Sequence, residues 1–197
     1  MTKSILISVI CGIAAGYLFL PDIFIQWSEE LLVIGLSTVL FFVGMDIGIE
    51  GTIVTNFKKI GFRIIAFPLA IIVGTLAGAM LGSLFLPITM KDAALVGAGL
   101  GWYTLAPILL ADYSTEVSAV SFMHNVMREM IGIVLIPIVA KKIGFLETVA
   151  LPGAASMDVC LPIIERTTRS DIVVYSFISG VVLSIAVPTL IPLIMRL

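Results

Sequence analysis

The chain has 197 residues, of which 60% are hydrophobic and only 12% are charged. Soluble domains carry about 25% charged residues, so this composition excludes an ordinary soluble protein and predicts an integral membrane protein. The formal net charge of −2 at pH 7 argues neither for nor against an anionic partner, and we expect no nucleic acid among the partners. The two cysteines give neither a disulfide framework nor a metal-ligand spacing, so we expect no metal and no cofactor.

Long apolar segments, taken in chain order, predict five membrane-spanning helices, because such runs can cross a hydrocarbon core of about 30 Å. They cover residues 4–20, 31–48, 62–86, 117–140 and 171–195, each to within a few positions. The first could pass for a signal peptide, but comparable segments follow it, so we interpret it as the first span. The first three spans form a predicted N-terminal part, residues 1–86.

Two further apolar segments are interrupted by glycine and proline. Segment 93–111 contains Gly97, Gly99, Gly101 and Pro107, and segment 147–166 contains Pro152, Gly153 and Pro162. Each segment either crosses the membrane or enters it and returns on the same side as a re-entrant hairpin. The distribution of basic residues distinguishes these arrangements, because Lys and Arg in short loops favour the cytoplasm.

With two re-entrant hairpins, eight basic residues lie inside and two outside, whereas two crossing segments give six and four. The eight are Lys3, Lys58, Lys59, Arg63, Lys141, Lys142, Arg166 and Arg169; the two are Lys91 and Arg196. We therefore predict an all-α polytopic protein with five spans and two opposed hairpins. Its N-terminus is cytoplasmic and its C-terminus is outside. The first hairpin enters from outside and the second from inside.

The C-terminal part, residues 93–197, resembles itself at a fixed offset along the chain. Pro107-Ile108 matches Pro162-Ile163, Ser121-Phe122 matches Ser176-Phe177, and Leu135-Ile136-Pro137 matches Leu190-Ile191-Pro192, all at the same separation. The matching units, 93–140 and 147–195, have opposite predicted orientations. An inverted repeat with broken helices is typical of secondary transporters, which bind substrate at the repeat interface.

The two breaks are the predicted substrate site. They run from Gly99 to Thr104 and from Pro152 to Asp158. Non-helical backbone at membrane depth survives only when it is buried in protein or lines a wet cavity. A half-helix that starts at each break would direct free N–H groups at a carboxylate, and Thr104 and Ser156 are suitable N-cap residues. The alternative is a glycine kink that only allows close packing.

Span 117–140 carries ionisable residues near its middle, where a charge is costly unless it is paired or lines a pathway. Glu129 is predicted to bind substrate and to exchange protons. Arg128 either forms a structural ion pair with an acid on a neighbouring helix or belongs to the site. His124 is a candidate proton relay.

Two further acids are candidates for proton coupling. Asp158 lies at the second break, where it either serves the site or caps its own half-helix. Asp46, near the cytoplasmic end of the second span, either belongs to a site or reaches the interface. Including the first break, the predicted substrate-binding residues are Trp102, Tyr103, Thr104, Asn125, Glu129, Ser156 and Asp158.

Three stretches together resemble the LysO-type lysine exporter family of prokaryotic inner membranes. They are Gly101-Trp102-Tyr103-Thr104-Leu105, Asn125-Val126-Met127-Arg128-Glu129, and Ala155-Ser156-Met157-Asp158 followed by Leu161-Pro162. The resemblance implies export of L-lysine and its toxic analogues, with Glu129 and Asp158 as the membrane-buried acids that carry the activity. Full-length members carry about three further N-terminal helices. The resemblance therefore implies either a homo-oligomer or a complex with a small membrane protein that supplies them.

We therefore predict a secondary transporter that exports lysine in exchange for protons by alternating access. A transporter for another amino acid or a cation, and a passive channel, remain open as alternatives. An enzyme is disfavoured, and no catalytic residue is predicted, because the sequence has neither an H-E-x-x-H metal motif nor a G-x-S-x-G nucleophile motif.

Overall fold

The computed structural model describes residues 2–18 and 63–197, together with single positions between 27 and 49. Within these ranges the chain is helical and forms no strand. Three helices are long and apolar enough to cross a membrane: Ile64–Phe85, Thr115–Lys142 and Ser170–Met195. They coincide with three of the predicted spans. The first predicted span is also helical, whereas half of the positions of the second, 31–48, lie outside the described residues.

We number the described helices in chain order. Helix α1 is Thr2–Leu18, α2 is Arg63–Gly82, α3 is Met90–Gly97, α4 is Ala106–Ala111, α5 is Thr115–Lys142, α6 is Glu147–Ala150, α7 is Leu161–Thr167 and α8 is Ser170–Met195. Two 3₁₀ turns add Ser83–Phe85 after α2 and Gly153–Met157 between α6 and α7.

The first interrupted segment is a short helix, a break and a second short helix. Helix α3 begins after Thr89, whose side chain accepts a hydrogen bond from the Asp92 N–H and so caps the helix. It ends at Gly97, and the backbone turns left-handed beyond it, at Leu100 (φ 48°) and Gly101 (φ 98°). Glycine adopts such φ values without steric cost. Pro107 lies in the first turn of α4, where its missing N–H costs nothing.

The second interrupted segment has the same plan. Helix α6 has only four residues, and the chain then passes through Pro152 into a 3₁₀ turn that starts at Gly153 (φ 69°). Helix α7 follows, with Pro162 in its first turn. Both predicted breaks are therefore present, at the glycine and proline positions that indicated them.

The helices that follow the two breaks begin at a constant separation along the sequence. Helix α7 starts as many residues after the start of α4 as α8 starts after the start of α5. This separation equals the offset between Pro107 and Pro162, which relates the two units in the sequence. Each unit consists of an interrupted helical segment followed by a long helix.

The apolar core lies where these units meet each other and α2. Fully buried side chains come from both, including Leu95, Leu100 and Leu110 of the first unit and Leu183, Val187 and Ile191 of the second. The core therefore holds the two breaks against the long helices, which sets the position of the polar groups described next.

Candidate functional site

The breaks of the two interrupted segments contact each other through their backbones. The Ala154 N–H donates a hydrogen bond of 2.8 Å to the Leu100 carbonyl. The approach leaves no room for side chains, because a Cβ at Gly101 would meet the Pro152 carbonyl oxygen and a Cβ at Gly153 would meet that of Leu100. Both glycines are thus required twice, by their positive φ and by the space.

Asn125 of α5 holds the first break in place. Its Oδ1 accepts from the Gly101 N–H at 2.8 Å. Its Nδ2 donates to the Ser121 carbonyl at 2.8 Å and to the Ser121 hydroxyl at 3.2 Å. Asn125 is fully buried, so its amide is occupied by the protein and does not face a cavity.

Arg128, one turn further along α5, holds the second break. Its Nε donates to the Leu151 carbonyl at 3.0 Å and its Nη2 to the Ala150 carbonyl at 3.1 Å. Nη2 also reaches the Thr75 hydroxyl of α2 at 3.4 Å. The carbonyls at a helix end lack N–H partners and carry partial negative charge. The cation therefore satisfies the end of α6, and its described partners are oxygens of carbonyls and a hydroxyl rather than a carboxylate.

A cavity of about 100 Å³ lies between the two breaks and the two long helices. Its lining consists of Gly101, Trp102, Tyr103, Thr104, Glu129, Ala154, Ala155, Met157, Asp158, Val159 and Ser184. Five of the seven residues predicted to bind substrate line this cavity. The two that do not are Asn125 and Ser156.

Ser156 is fully buried and bonded to α8 instead. Its hydroxyl donates to the Ser176 carbonyl at 3.1 Å, and the Ser176 hydroxyl donates to the Ser156 carbonyl at 2.7 Å. The N-cap predictions for Ser156 and Thr104 are wrong. The residues that precede α7 and α4 are Cys160 and Leu105, and neither makes a side-chain cap, because each break continues past the predicted cap.

The polar groups of the cavity include two carboxyl groups. Asp158 accepts a hydrogen bond of 2.6 Å from the Val159 N–H through Oδ1. Glu129 is half-buried, and within the described part of the chain its carboxyl group has no hydrogen-bond or ion-pair partner. The N–H groups of Tyr103 and Thr104 likewise have no acceptor among the described residues. The wall can therefore present negative charge and backbone donors to the same ligand.

Of the two other candidates for proton coupling, only His124 is among the described residues. His124 is exposed on α5 and does not line the cavity. Asp46 lies outside the described residues. Among the residues that are described, no group of three or more His, Cys, Asp and Glu side chains could hold a metal ion.

Sequence reasoning missed Ser184 of α8 and Val159, which follows the second predicted break; Met157 lies within that break but was not named as a binding residue. Ser184 lies in an apolar stretch with no local feature that indicates a site. The repeat offset could have found it, because Ser184 follows Glu129 at the same separation as the start of α8 follows the start of α5.

A second cavity, of about 700 Å³, lies where the start of α3 approaches the start of α5 and is lined by residues that include Asp92, Glu116 and Tyr113. The Tyr113 hydroxyl donates to Asp92 Oδ1 at 2.8 Å, and the Thr89 hydroxyl donates to Oδ2 at 2.6 Å. The hydrogen bond to Asp92 raises the pKa of the Tyr113 phenol. These bonds fasten the start of α3 to the turn before α5.

The chain is similar to known proteins over most of its length. The sequence profile of the family described as Lysine exporter LysO matches residues 6–195. The lysine exporter LysO of Escherichia coli strain K12 is 30% identical over 184 residues, which are 93% of this chain and 60% of that protein. A candidate lysine exporter of Haemophilus influenzae is 24% identical over 191 residues, 95% of each chain. The chain thus spans 60% of the length of the Escherichia coli relative. No solved structure matches it.

Proposed function

Since the chain belongs to the lysine exporter LysO family, we propose that it exports L-lysine and lysine analogues from the cytoplasm. The family membership confirms the resemblance inferred from the three sequence motifs. It also identifies a membrane-embedded protein of a transporter family rather than an enzyme family. The substrate, the coupling and the direction of transport are our proposal for this chain.

The observation that carries the proposal is the cavity between the two breaks. Glu129 and Asp158 would accept the ammonium groups of lysine, because a charge-assisted hydrogen bond contributes about 1.5–3 kcal/mol. The free N–H groups of Tyr103 and Thr104 would donate to the α-carboxylate. The aromatic face of Trp102 suits either the aliphatic part of the side chain or its cation. Each polar group of lysine would thus have a binding partner in the cavity wall.

Export of lysine requires an energy source. The substrate carries a net charge of +1, and moving it out of a cell that is negative inside costs about 2.3 kcal/mol per 100 mV. Proton antiport supplies this if lysine and a proton compete for one carboxylate. We place that exchange at Glu129 and Asp158. Alternating access would then move the paired hairpins against the N-terminal helices.

The experiment is transport from lysine-loaded vesicles by the Glu129→Gln variant. We expect export to fall by roughly tenfold to a hundredfold, because the variant loses one charge-assisted contact of about 1.5–3 kcal/mol. We also expect its pH dependence to flatten, since glutamine takes up no proton. In the unchanged protein, lysine binding should weaken as the pH falls and protons occupy the carboxylate.

The matched control is Glu116→Gln, which removes an exposed acid from the same helix away from this cavity. Its export rate should stay close to that of the unchanged protein. If Glu129→Gln exported lysine at the original rate with the original pH dependence, the proposed role of Glu129 would be wrong. Thermal stabilisation of the purified protein by another amino acid, and not by lysine, would instead identify a different cargo.

A further inference from the structure

We infer that Ser184 is a substrate-contacting residue that determines specificity, and that it is the counterpart of Glu129 on the opposite unit of the cavity wall. The inference rests on the proposed function, because it concerns the same cavity. It goes beyond that proposal by assigning a ligand-facing role to a residue of α8.

Glu129 and Ser184 occupy equivalent positions in the two units. The start of α8 follows the start of α5 at the same separation as the start of α7 follows the start of α4. Each residue of the first unit therefore corresponds to one residue of the second at this fixed offset. Under this correspondence Glu129 of α5 is equivalent to Ser184 of α8, and both line the cavity.

The same correspondence holds around the cavity. Eight of its eleven lining residues form four equivalent pairs. The pairs are Trp102 with Met157, Tyr103 with Asp158, Thr104 with Val159, and Glu129 with Ser184. A wall built from equivalent positions of both units presents two sides to one ligand. Ser184 is the position at which α8 contributes to that wall.

The hydrogen bonding of the Ser184 hydroxyl also favours a ligand contact. The one hydrogen-bond partner that the described residues offer the Ser184 hydroxyl is the Met157 sulfur at 4.0 Å, and a thioether is a weak acceptor. By contrast, the Ser176 hydroxyl on the same helix is fully engaged with the second break. The Ser184 hydroxyl therefore remains available to a polar ligand, as donor to a carboxylate or acceptor from an ammonium group.

Asn125 and Arg128, two other polar residues of α5, have apolar counterparts on α8. Asn125 corresponds to Gly180, where a Cβ would collide with Met157 and the Ala154 carbonyl, and Arg128 corresponds to Leu183, which is fully buried. Of Asn125, Arg128 and Glu129, only Glu129 has a counterpart with a polar side chain at the cavity. The ligand class that fits an acid on one side and a hydroxyl on the other is an amino acid with a cationic side chain.

The test moves the carboxyl group from one side to the other. Lysine binding is measured on purified protein for Glu129→Ser and for the double variant Glu129→Ser/Ser184→Glu. We expect Glu129→Ser to bind at least tenfold more weakly than the unchanged protein, and the double variant to regain at least tenfold. The matched control is Glu129→Ser/Thr189→Glu, because Thr189 is an exposed hydroxyl residue of the same helix away from the cavity; it should regain nothing.

A double variant that folds, as judged by its melting temperature, yet binds no better than Glu129→Ser would overturn the inference. A Glu129→Ser variant that binds lysine like the unchanged protein would instead overturn the proposed function, so the two failures are distinguishable.

A second measurement covers a double variant that does not fold. Ser184→Cys is introduced after Cys11, the exposed cysteine, has been replaced by Ser. We expect lysine to slow modification at position 184 by a cationic thiol reagent at least fivefold. Modification of Thr189→Cys in the same background should not change. Equal rates at position 184 with and without lysine would contradict a ligand contact there.

Discussion

At the scale of single residues, Arg128 decides whether the second break can exist within the membrane. Unpaired carbonyls in hydrocarbon each cost several kcal/mol, and Arg128 satisfies those of Ala150 and Leu151 with a single guanidinium group. Its Nη1 is buried and has no partner in the described part of the chain. We therefore regard Arg128 as a positioning residue for the site.

Replacing Arg128 with methionine tests this role. We expect a clear fall in melting temperature in detergent, because each carbonyl left without a partner costs about 1–3 kcal/mol. Arg169→Met is the control. Arg169 is exposed and pairs with Asp171 at 3.2 Å, and such surface pairs contribute at most about 1 kcal/mol.

A substrate-binding role for Arg128 would give a different result. If its guanidinium held the lysine carboxylate, Arg128→Met would weaken binding of lysine and spare the diamine cadaverine, which has no carboxylate. A positioning role predicts that both ligands are affected to the same extent. Sparing of cadaverine would therefore contradict our interpretation.

The sequence identifies single residues of the site unevenly. Glu129 and Asp158 are acids within apolar segments, and such acids usually line a pathway. Asn125 and Ser156 are also polar residues within apolar segments, yet the side chain of each forms its hydrogen bonds within the protein. The sequence does not reveal whether a polar side chain near a break points into the cavity or bonds to the protein. The partners of Arg128 could not be predicted from the sequence either, because they are backbone carbonyls and every residue has one.

At the scale of elements, the two breaks are mutually dependent. Their tips share the bond from Ala154 to Leu100, and the close approach depends on two glycines with positive φ. The glycines and prolines made the breaks predictable. The left-handed conformation of Leu100 and the 3₁₀ turn after Pro152 were not predictable, because the residue types at these positions do not specify them.

Gly101→Ala and Gly153→Ala should each reduce the yield and melting temperature of folded protein. A left-handed alanine costs about 1–2 kcal/mol, and the clash of the added methyl group with a carbonyl oxygen adds to this. Gly78→Ala is the control, because its Cβ would meet nothing within 4 Å and alanine favours a helix by about 0.5–1 kcal/mol. Equal melting temperatures for the three variants would refute the dependence on glycine.

At the scale of the whole molecule, the arrangement in the membrane is still a prediction. The charge distribution favours five spans and two opposed hairpins. Helical content and three helices of spanning length are observed in the part of the chain that the structure describes, but half of the positions of the second predicted span lie outside it. A homo-oligomer and a complex with a small membrane protein both stay predictions for its assembly.

Thiol labelling of intact cells tests the predicted topology. We expect a membrane-impermeant reagent to modify Asp112→Cys, which follows the first hairpin, and Arg196→Cys near the C-terminus. It should not modify Lys142→Cys. If both interrupted segments crossed the membrane, the result at positions 112 and 142 would be reversed while position 196 would still be labelled.

The pairing of the second break with Arg128 has a consequence for the evolution of the chain. If the two units descend from one duplicated gene, they no longer carry equal roles. The first unit supplies Asn125 for its own break and Arg128 for the break of its partner, while the second has glycine and leucine at those positions. The second unit depends on the first for the stability of its own break. Two copies of the second unit could not replace the pair.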